Sequence, residues 1–207
     1  DLPELFYLLE KSGNPKLEDL SKRIVAIAGM KLNEDNPVVR AFAESFTRVV
    51  IYPTRSLEKK SDEEMEHEKV KANKINMAAM HAMHDCKNRG EAILVFPSGT
   101  RYRPGHPETK RGLREIDSYL RLFDVAIFVS INGSMLEIQE GKDDMLSDYL
   151  VRDKVILTAS PIIELKKFRK DFMASLPADT PDPKQCMIDR VMEMLDEQHD
   201  EVEKTRI

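Results

Sequence analysis

The sequence predicts an α/β fold in which a largely parallel or mixed central sheet is flanked by helices. Two patterns carry this. Short apolar, β-branched runs at 23–29, 48–52, 91–96, 125–131 and 154–158 alternate with longer stretches of helical periodicity. Gly, Pro or Asn marks most of the joins. Strands buried on both faces read as continuous apolar runs rather than as alternation, and Arg23-Ile-Val-Ala-Ile-Ala-Gly29 reads that way.

The elements follow in order. Residues 3–9 are compact and apolar and end at Gly13-Asn14-Pro15, so a short helix and a turn are expected. After the strand at 23–29, Asn36-Pro37 supplies an N-cap with Pro at the first helical position, and a helix to about Phe46 is expected. Arg48-Val-Val-Ile-Tyr52 is a strand halted by Pro53. The longest helix runs over 61–89, opened by the capping box Ser61-Asp-Glu-Glu64 and closed by Asn88 and Gly90. Glu91-Ala-Ile-Leu-Val-Phe96 is a third strand, followed by a Pro-, Gly- and Arg-rich loop to Arg111 and a helix over 113–123. Strands at 125–131 and 154–158 and helices at 163–173 and 183–204 complete the chain, which reads as one domain of 207 residues.

Composition narrows the function. With 41% hydrophobic and 33% charged residues the chain is a globular protein with a solvated surface. A net charge of −5 argues against a general nucleic-acid binder, so any anion site must be a local basic cluster. Cys86 and Cys186 show no metal-binding spacing and read as free thiols of a reducing compartment. No apolar run reaches the roughly 20 residues of a membrane span, and nothing reads as a leader. The start at Asp1, without Met, suggests a fragment or a processed product.

In open α/β sheets ligands gather beyond the carboxyl ends of strands, which directs attention to the loops after Tyr52, Phe96 and Ile131. Arg101 and Arg103 stand two apart in the second of these, after Ser98, Gly99 and Thr100, whose backbone amides can approach an anion closely. Guanidinium groups match a phosphate through paired hydrogen bonds. Arg55 follows the strand end at Tyr52-Pro-Thr and is a third arginine for the same anion. His106 lies in the arginine loop. His81 and His84 share a helix face but lack the further ligands of a metal site, while His67 and His199 carry no pattern. Met65, Met77, Met80 and Met83 on the long helix read as core, or else as the lining of an acyl groove.

The block Val95-Phe-Pro-Ser-Gly-Thr-Arg101 resembles the Phe-Pro-Glu-Gly-Thr-Arg block of the glycerol-3-phosphate and lysophosphatidate acyltransferases, with Ser98 in place of glutamate. The soluble plastid-type glycerol-3-phosphate acyltransferases also carry Pro-Ser-Gly followed by Arg-x-Arg-Pro, as in Arg101-Tyr-Arg103-Pro104. Lys69-Val-Lys-Ala-Asn73 is similar to their Lys-Arg-Lys-Ala-Asn. The resemblance spans nearly the whole chain, although Phe128-Val-Ser-Ile131 replaces the usual Val-Pro-Val/Ile.

The resemblance implies a glycerol-3-phosphate acyltransferase-like catalytic domain lacking its N-terminal part. Asp1 would be the aspartate of a His-x4-Asp motif, oriented toward a histidine five residues upstream. Arg55, Arg101, Arg103, Ser98, Gly99 and Thr100 would hold the phosphate of glycerol 3-phosphate, with Lys69, Lys71 and His106 as further candidates. No metal or cofactor is implied beyond the co-substrate, acyl-CoA or acyl carrier protein carrying its acyl chain. The implied place is a soluble compartment, cytoplasmic or plastid-like, with peripheral membrane contact and no nucleic-acid partner. Two rivals stand beside this reading: transfer to lysophosphatidate, and a catalytically silent phosphate-ester binding domain.

Overall fold

Ile24, Val25, Ala26 and Ala28 are buried, and this apolar run forms the strand around which the first half of the chain is built. The computed structural model describes residues 2–30, 44–53, 62–103, 105–137 and 148–206. The chain divides into two compact units, residues 2–99 and, among the described residues, 100–206.

In the first unit, β1 (Ile24–Gly29) is the centre of a three-stranded parallel sheet, flanked by β2 (Arg48–Ile51) and β3 (Ala92–Leu94). Ala26 lies level with Arg48 on one side and with Leu94 on the other. The long helix α3 (Asp62–Asn88) packs on β2 and β3. Its buried residues Ala72, Ala79, Met83 and Cys86 recur at helical spacing on one face. Burying a side chain such as Val25 or Met83 contributes about 1.5–3 kcal/mol relative to exposure.

Two helices precede the sheet, α1 (Leu2–Glu10) and α2 (Pro15–Lys22). The first was expected and the second was not. Asn14 caps α2, accepting from the Lys16 N–H at 3.0 Å, with Pro15 in the first turn. The Asn-Pro signature that predicts a helix start at Asn36-Pro37 marks one at Asn14-Pro15, where the sequence predicts a turn. The helix expected over 36–46 and the capping box at Ser61 lie outside the described residues, except for the end of that helix at Glu44.

The sheet was expected to be largely parallel or mixed, and in the second unit the described strands pair antiparallel. The expected strand at 125–131 is two strands, β4 (Val125–Ala126) and β5 (Val129–Asn132), and both pair antiparallel, with β9 (Ile163–Glu164) and β8 (Ile156–Ala159) respectively. Between the two pairings, residues 127 and 128 face residues 160, 161 and 162, so the partner strand carries a bulge. Pro161 sits in that bulge, where it has no N–H to give the ladder. Ser160 repairs the gap: its hydroxyl accepts from the Phe128 N–H at 3.0 Å and its own N–H donates to the Phe128 carbonyl at 2.8 Å. A further two-stranded pair, β6 (Leu136–Glu137) with β7 (Tyr149–Leu150), is also antiparallel.

Helices α4 (Ile116–Leu122), α5 (Leu165–Ser175) and α6 (Pro183–Glu203) pack on one another, and α6 also covers β5 and β8. Leu165, Met187 and Ile188 are almost fully buried there. Asp182 caps α6, accepting from the Gln185 N–H at 3.2 Å. Buried polar groups join elements far apart in sequence. Asp117 accepts from Arg169 at 2.7 and 3.2 Å, and Asn132 donates to the His199 carbonyl at 2.9 Å and to Glu203 at 2.8 Å. Among the described residues no helix is long and apolar enough to cross a membrane.

Candidate functional site

The three parallel strands of the first unit share one carboxyl edge, and its geometry is fixed by two close approaches. A Cβ on Gly29, the last residue of β1, would meet Pro53 Cγ at 3.1 Å, so the chain leaving β2 lies directly against the end of β1. Tyr52 is then clamped to α3. Its N–H donates to Asn76 Oδ1 at 2.8 Å, its carbonyl accepts from Asn76 Nδ2 at 3.0 Å, and its hydroxyl lies 2.7 Å from Glu68 Oε2. One asparagine thus reproduces a pair of ladder bonds at the strand exit. Arg55, two residues beyond Pro53, lies outside the described residues, as does Asp1.

The exit from β3 is a turn in which the Gly99 N–H donates to the Phe96 carbonyl at 2.9 Å. Gly99 has φ +63°, a conformation that glycine adopts without the penalty a Cβ imposes. Ser98 is half-buried in the turn. Lys69 and Lys71 are both exposed on α3, and their spacing points them in different directions.

Thr100, Arg101 and Arg103 open the second unit. Arg101 Nη1 lies 2.6 Å from Asp148 Oδ2, and Nη2 donates to the Leu136 carbonyl. The Asp148 side chain is 7% exposed and that of Arg101 34%. The guanidinium therefore already holds an oxyanion, supplied by the residue that precedes β7. Arg103 is half-buried, and its backbone is locked into a small knot. Its N–H donates to the Thr109 hydroxyl at 2.9 Å, that hydroxyl donates to the His106 carbonyl at 2.7 Å, and the His106 N–H returns to the Arg103 carbonyl at 3.0 Å. Gly105 at φ +82° makes the reversal, and a single 3-10 turn over Pro107–Thr109 follows. His106 Nδ1 lies 3.0 Å from Glu108 Oε1 at the surface. Lys110 Nζ is 5.9 Å from the centre of the exposed Tyr102 ring and 3.0 Å from Asp196 of α6.

Asn76, Thr109 and Asp148 do the positioning here, and none was singled out from the sequence. Thr109 had a local signal, a hydroxyl three residues after His106 in a Pro-rich turn. Asn76 and Asp148 had none.

The other candidates are placed as follows. Met83 is fully buried while Met77 is 64% exposed, so these two methionines do not share a face. His81 and His84 are exposed, with His84 Nδ1 3.1 Å from Asn88 Nδ2. Cys86 is buried and unpaired; burial, with Glu91 beside it, pushes its thiol pKa up, away from a reactive thiolate. Compared with models of protein families and with curated proteins, the chain matches none.

Proposed function

We propose that this protein transfers a fatty acyl group from an acyl thioester to a hydroxyl of glycerol 3-phosphate, giving lysophosphatidate, on a glycerol-3-phosphate acyltransferase-like fold. The observation that carries this is the block Phe96-Pro-Ser-Gly-Thr-Arg101-Tyr-Arg103-Pro104, in which two guanidinium groups follow a glycine-shaped turn at the end of a parallel strand. The contact of Arg101 with the Asp148 carboxylate supports its suitability as an oxyanion ligand. In the reaction the acceptor hydroxyl loses its proton to a general base, its oxygen attacks the thioester carbonyl, and the thiol leaves carrying a proton. The resemblance assigns the base to a histidine five residues before Asp1, a role worth about a hundred- to ten-thousand-fold in rate. Arg55, Arg101 and Arg103, with the amides of Ser98, Gly99 and Thr100, hold the phosphate and so position the hydroxyl. Lys69, Lys71 and His106 are further ligands under the same proposal, and the donor is acyl-CoA or an acyl carrier protein thioester.

The intact protein, incubated with glycerol 3-phosphate and a long-chain acyl thioester, is expected to release thiol and form lysophosphatidate in equal amounts. Offering lysophosphatidate as a competing acceptor distinguishes the first rival. Arg103→Lys and Arg101→Lys keep the charge but lose the paired geometry, and each is expected to raise the glycerol 3-phosphate needed for half-maximal rate about tenfold or more. Unchanged kinetics in both variants would remove the phosphate role. A gene encoding no histidine five residues before Asp1 would favour the silent binding domain.

A further inference from the structure

The guanidinium assigned to phosphate is not vacant. Arg101 holds Asp148 with one arm and the Leu136 carbonyl with the other, so a single side chain ties β6 to the residue that leads into β7. That pair is small and lightly packed. It has two registered residue pairs, and Leu136, Tyr149 and Leu150 are 44%, 51% and 80% exposed. Two-stranded elements with little buried apolar surface belong to the least stable parts of a fold. Asp148 itself is nearly buried, and a carboxylate removed from water depends on its cationic partner.

We infer that Asp148 is an internal competitor for the oxyanion site of Arg101, which an incoming phosphate monoester must displace in order to bind. This rests on the reading of Arg101 as a phosphate ligand. A carboxylate and a phosphate present the same pair of oxygens to a guanidinium, so only one occupies that edge at a time. A phosphate monoester carries close to two negative charges at neutral pH and attracts the cation more strongly than the single charge of Asp148. A phosphodiester or a substrate carboxylate carries one charge, is attracted more weakly, and meets the same cost of displacing Asp148. When a monoester takes the guanidinium, Asp148 is released and the start of β7 is freed with it. Asp148 thus sets the affinity that any anion must exceed to occupy Arg101, and the β6–β7 pair registers whether the site is filled.

The test is calorimetric titration of the intact protein with inorganic phosphate, glycerol 3-phosphate and a glycerol phosphodiester, at ionic strength matched with chloride. Asp148→Asn is expected to tighten phosphate, glycerol 3-phosphate and the diester by a similar factor, about tenfold, since a charge-assisted contact no longer has to be displaced. Asp148→Glu keeps the competitor and is expected to stay near the parent value. Arg101→Ala is expected to abolish binding in either background. Because the chain has no tryptophan, Tyr149→Trp gives a single emission reporter beside Asp148, and it keeps the test open should Asp148→Asn fold poorly. Its emission is expected to shift on adding glycerol 3-phosphate and to stay fixed when Arg101→Ala is also present. Arg101-dependent phosphate binding that Asp148→Asn leaves unchanged, with a silent reporter, would overturn the competition and leave the proposed function standing. If neither the parent protein nor Asp148→Asn binds any phosphate ester, both proposals fall.

Discussion

The two units are stabilised in different ways. Residues 2–99 bury an almost uniformly apolar set around a parallel sheet, from Ile24 and Val25 to Met83 and Cys86. In residues 100–206 the apolar core is crossed by buried polar ties: Asp117 with Arg169, Asn132 with the end of α6, and Gln198, whose amide donates to Ser130 at 3.1 Å and to the Thr158 carbonyl. Apolar burial is non-directional, whereas a buried charge or amide tolerates only a partner in the right place. The second unit is therefore the one in which single polar substitutions matter most, and it is also the one that holds Arg101 in place.

The largest expected effect tests that contrast. Asp117 is fully buried, and besides Arg169 its second oxygen lies 3.4 Å from Arg121 Nε, an ion pair without hydrogen-bond geometry. Asp117→Ala leaves the largely buried Arg169 without its carboxylate and is expected to cost about 3–5 kcal/mol in chemical denaturation. Replacing both partners with apolar residues of similar volume recovers most of that loss if the tie is a matter of specificity rather than net stability. A loss below about 1 kcal/mol for the single variant would erase the difference drawn between the units.

In the first unit the counterpart is volume. Met83 has no exposed surface, and Met83→Ala is expected to cost about 3 kcal/mol, while Met83→Leu costs less than about 1.5 because the shape is nearly kept. Hydrogen exchange read residue by residue should show the loss in residues 2–99. A smaller effect is expected at the edge of the same sheet. Asn76→Ala strips the Tyr52 N–H and carbonyl of their partners and is expected to cost about 2 kcal/mol, seen as faster exchange at Tyr52. Protection unchanged at Tyr52 would mean that the exit from β2 is fixed by the Gly29–Pro53 contact alone.

The same contrast explains what the sequence made legible. The strands at 23–29, 48–52 and 91–96 and the long helix were readable because their signals are contiguous: apolar runs, a 3.6-residue repeat, and Asn88 with Gly90 at the end. The start of α6 was readable from Pro183 and the end of α5 came within two residues. The run at 125–131 misled because its break accompanies an extra residue in the segment around Pro161 that joins β8 to β9, which no local window contains. Asn76 lies 24 residues from Tyr52 and Asp148 lies 47 residues from Arg101, so each is an ordinary polar residue until the fold joins it to its partner. At the candidate site the arginine loop was legible as a motif, but the carboxylate that occupies Arg101 was not.

The smallest expected effect concerns acid, and it again falls on the polar unit. The Asp153 carboxylate is held below its usual range by the backbone N–H groups of Ser134 and Lys154, then by Arg206. Glu203 is lowered by its bonds from Asn132 and Arg206, and Asp182 by the Gln185 N–H and Arg114. In each case the folded pKa lies below the unfolded one, about 3.9 for Asp and 4.3 for Glu, so the stabilisation is present above those values and is lost as pH falls through them toward the folded pKa. All three groups are exposed to solvent, which screens their contribution, so the acid limb of stability should be shallow. Denaturation of residues 100–206, followed from pH 6 downward, is expected to weaken below about pH 4 and to flatten in Asp153→Asn and in Glu203→Gln. In residues 2–99 a matching group is Glu91, lowered by its hydrogen bond from Arg89, and Glu91→Gln should flatten the limb only there. An acid limb of equal slope in both units, insensitive to all three substitutions, would show that the polar ties of the second unit do not act through these carboxylates.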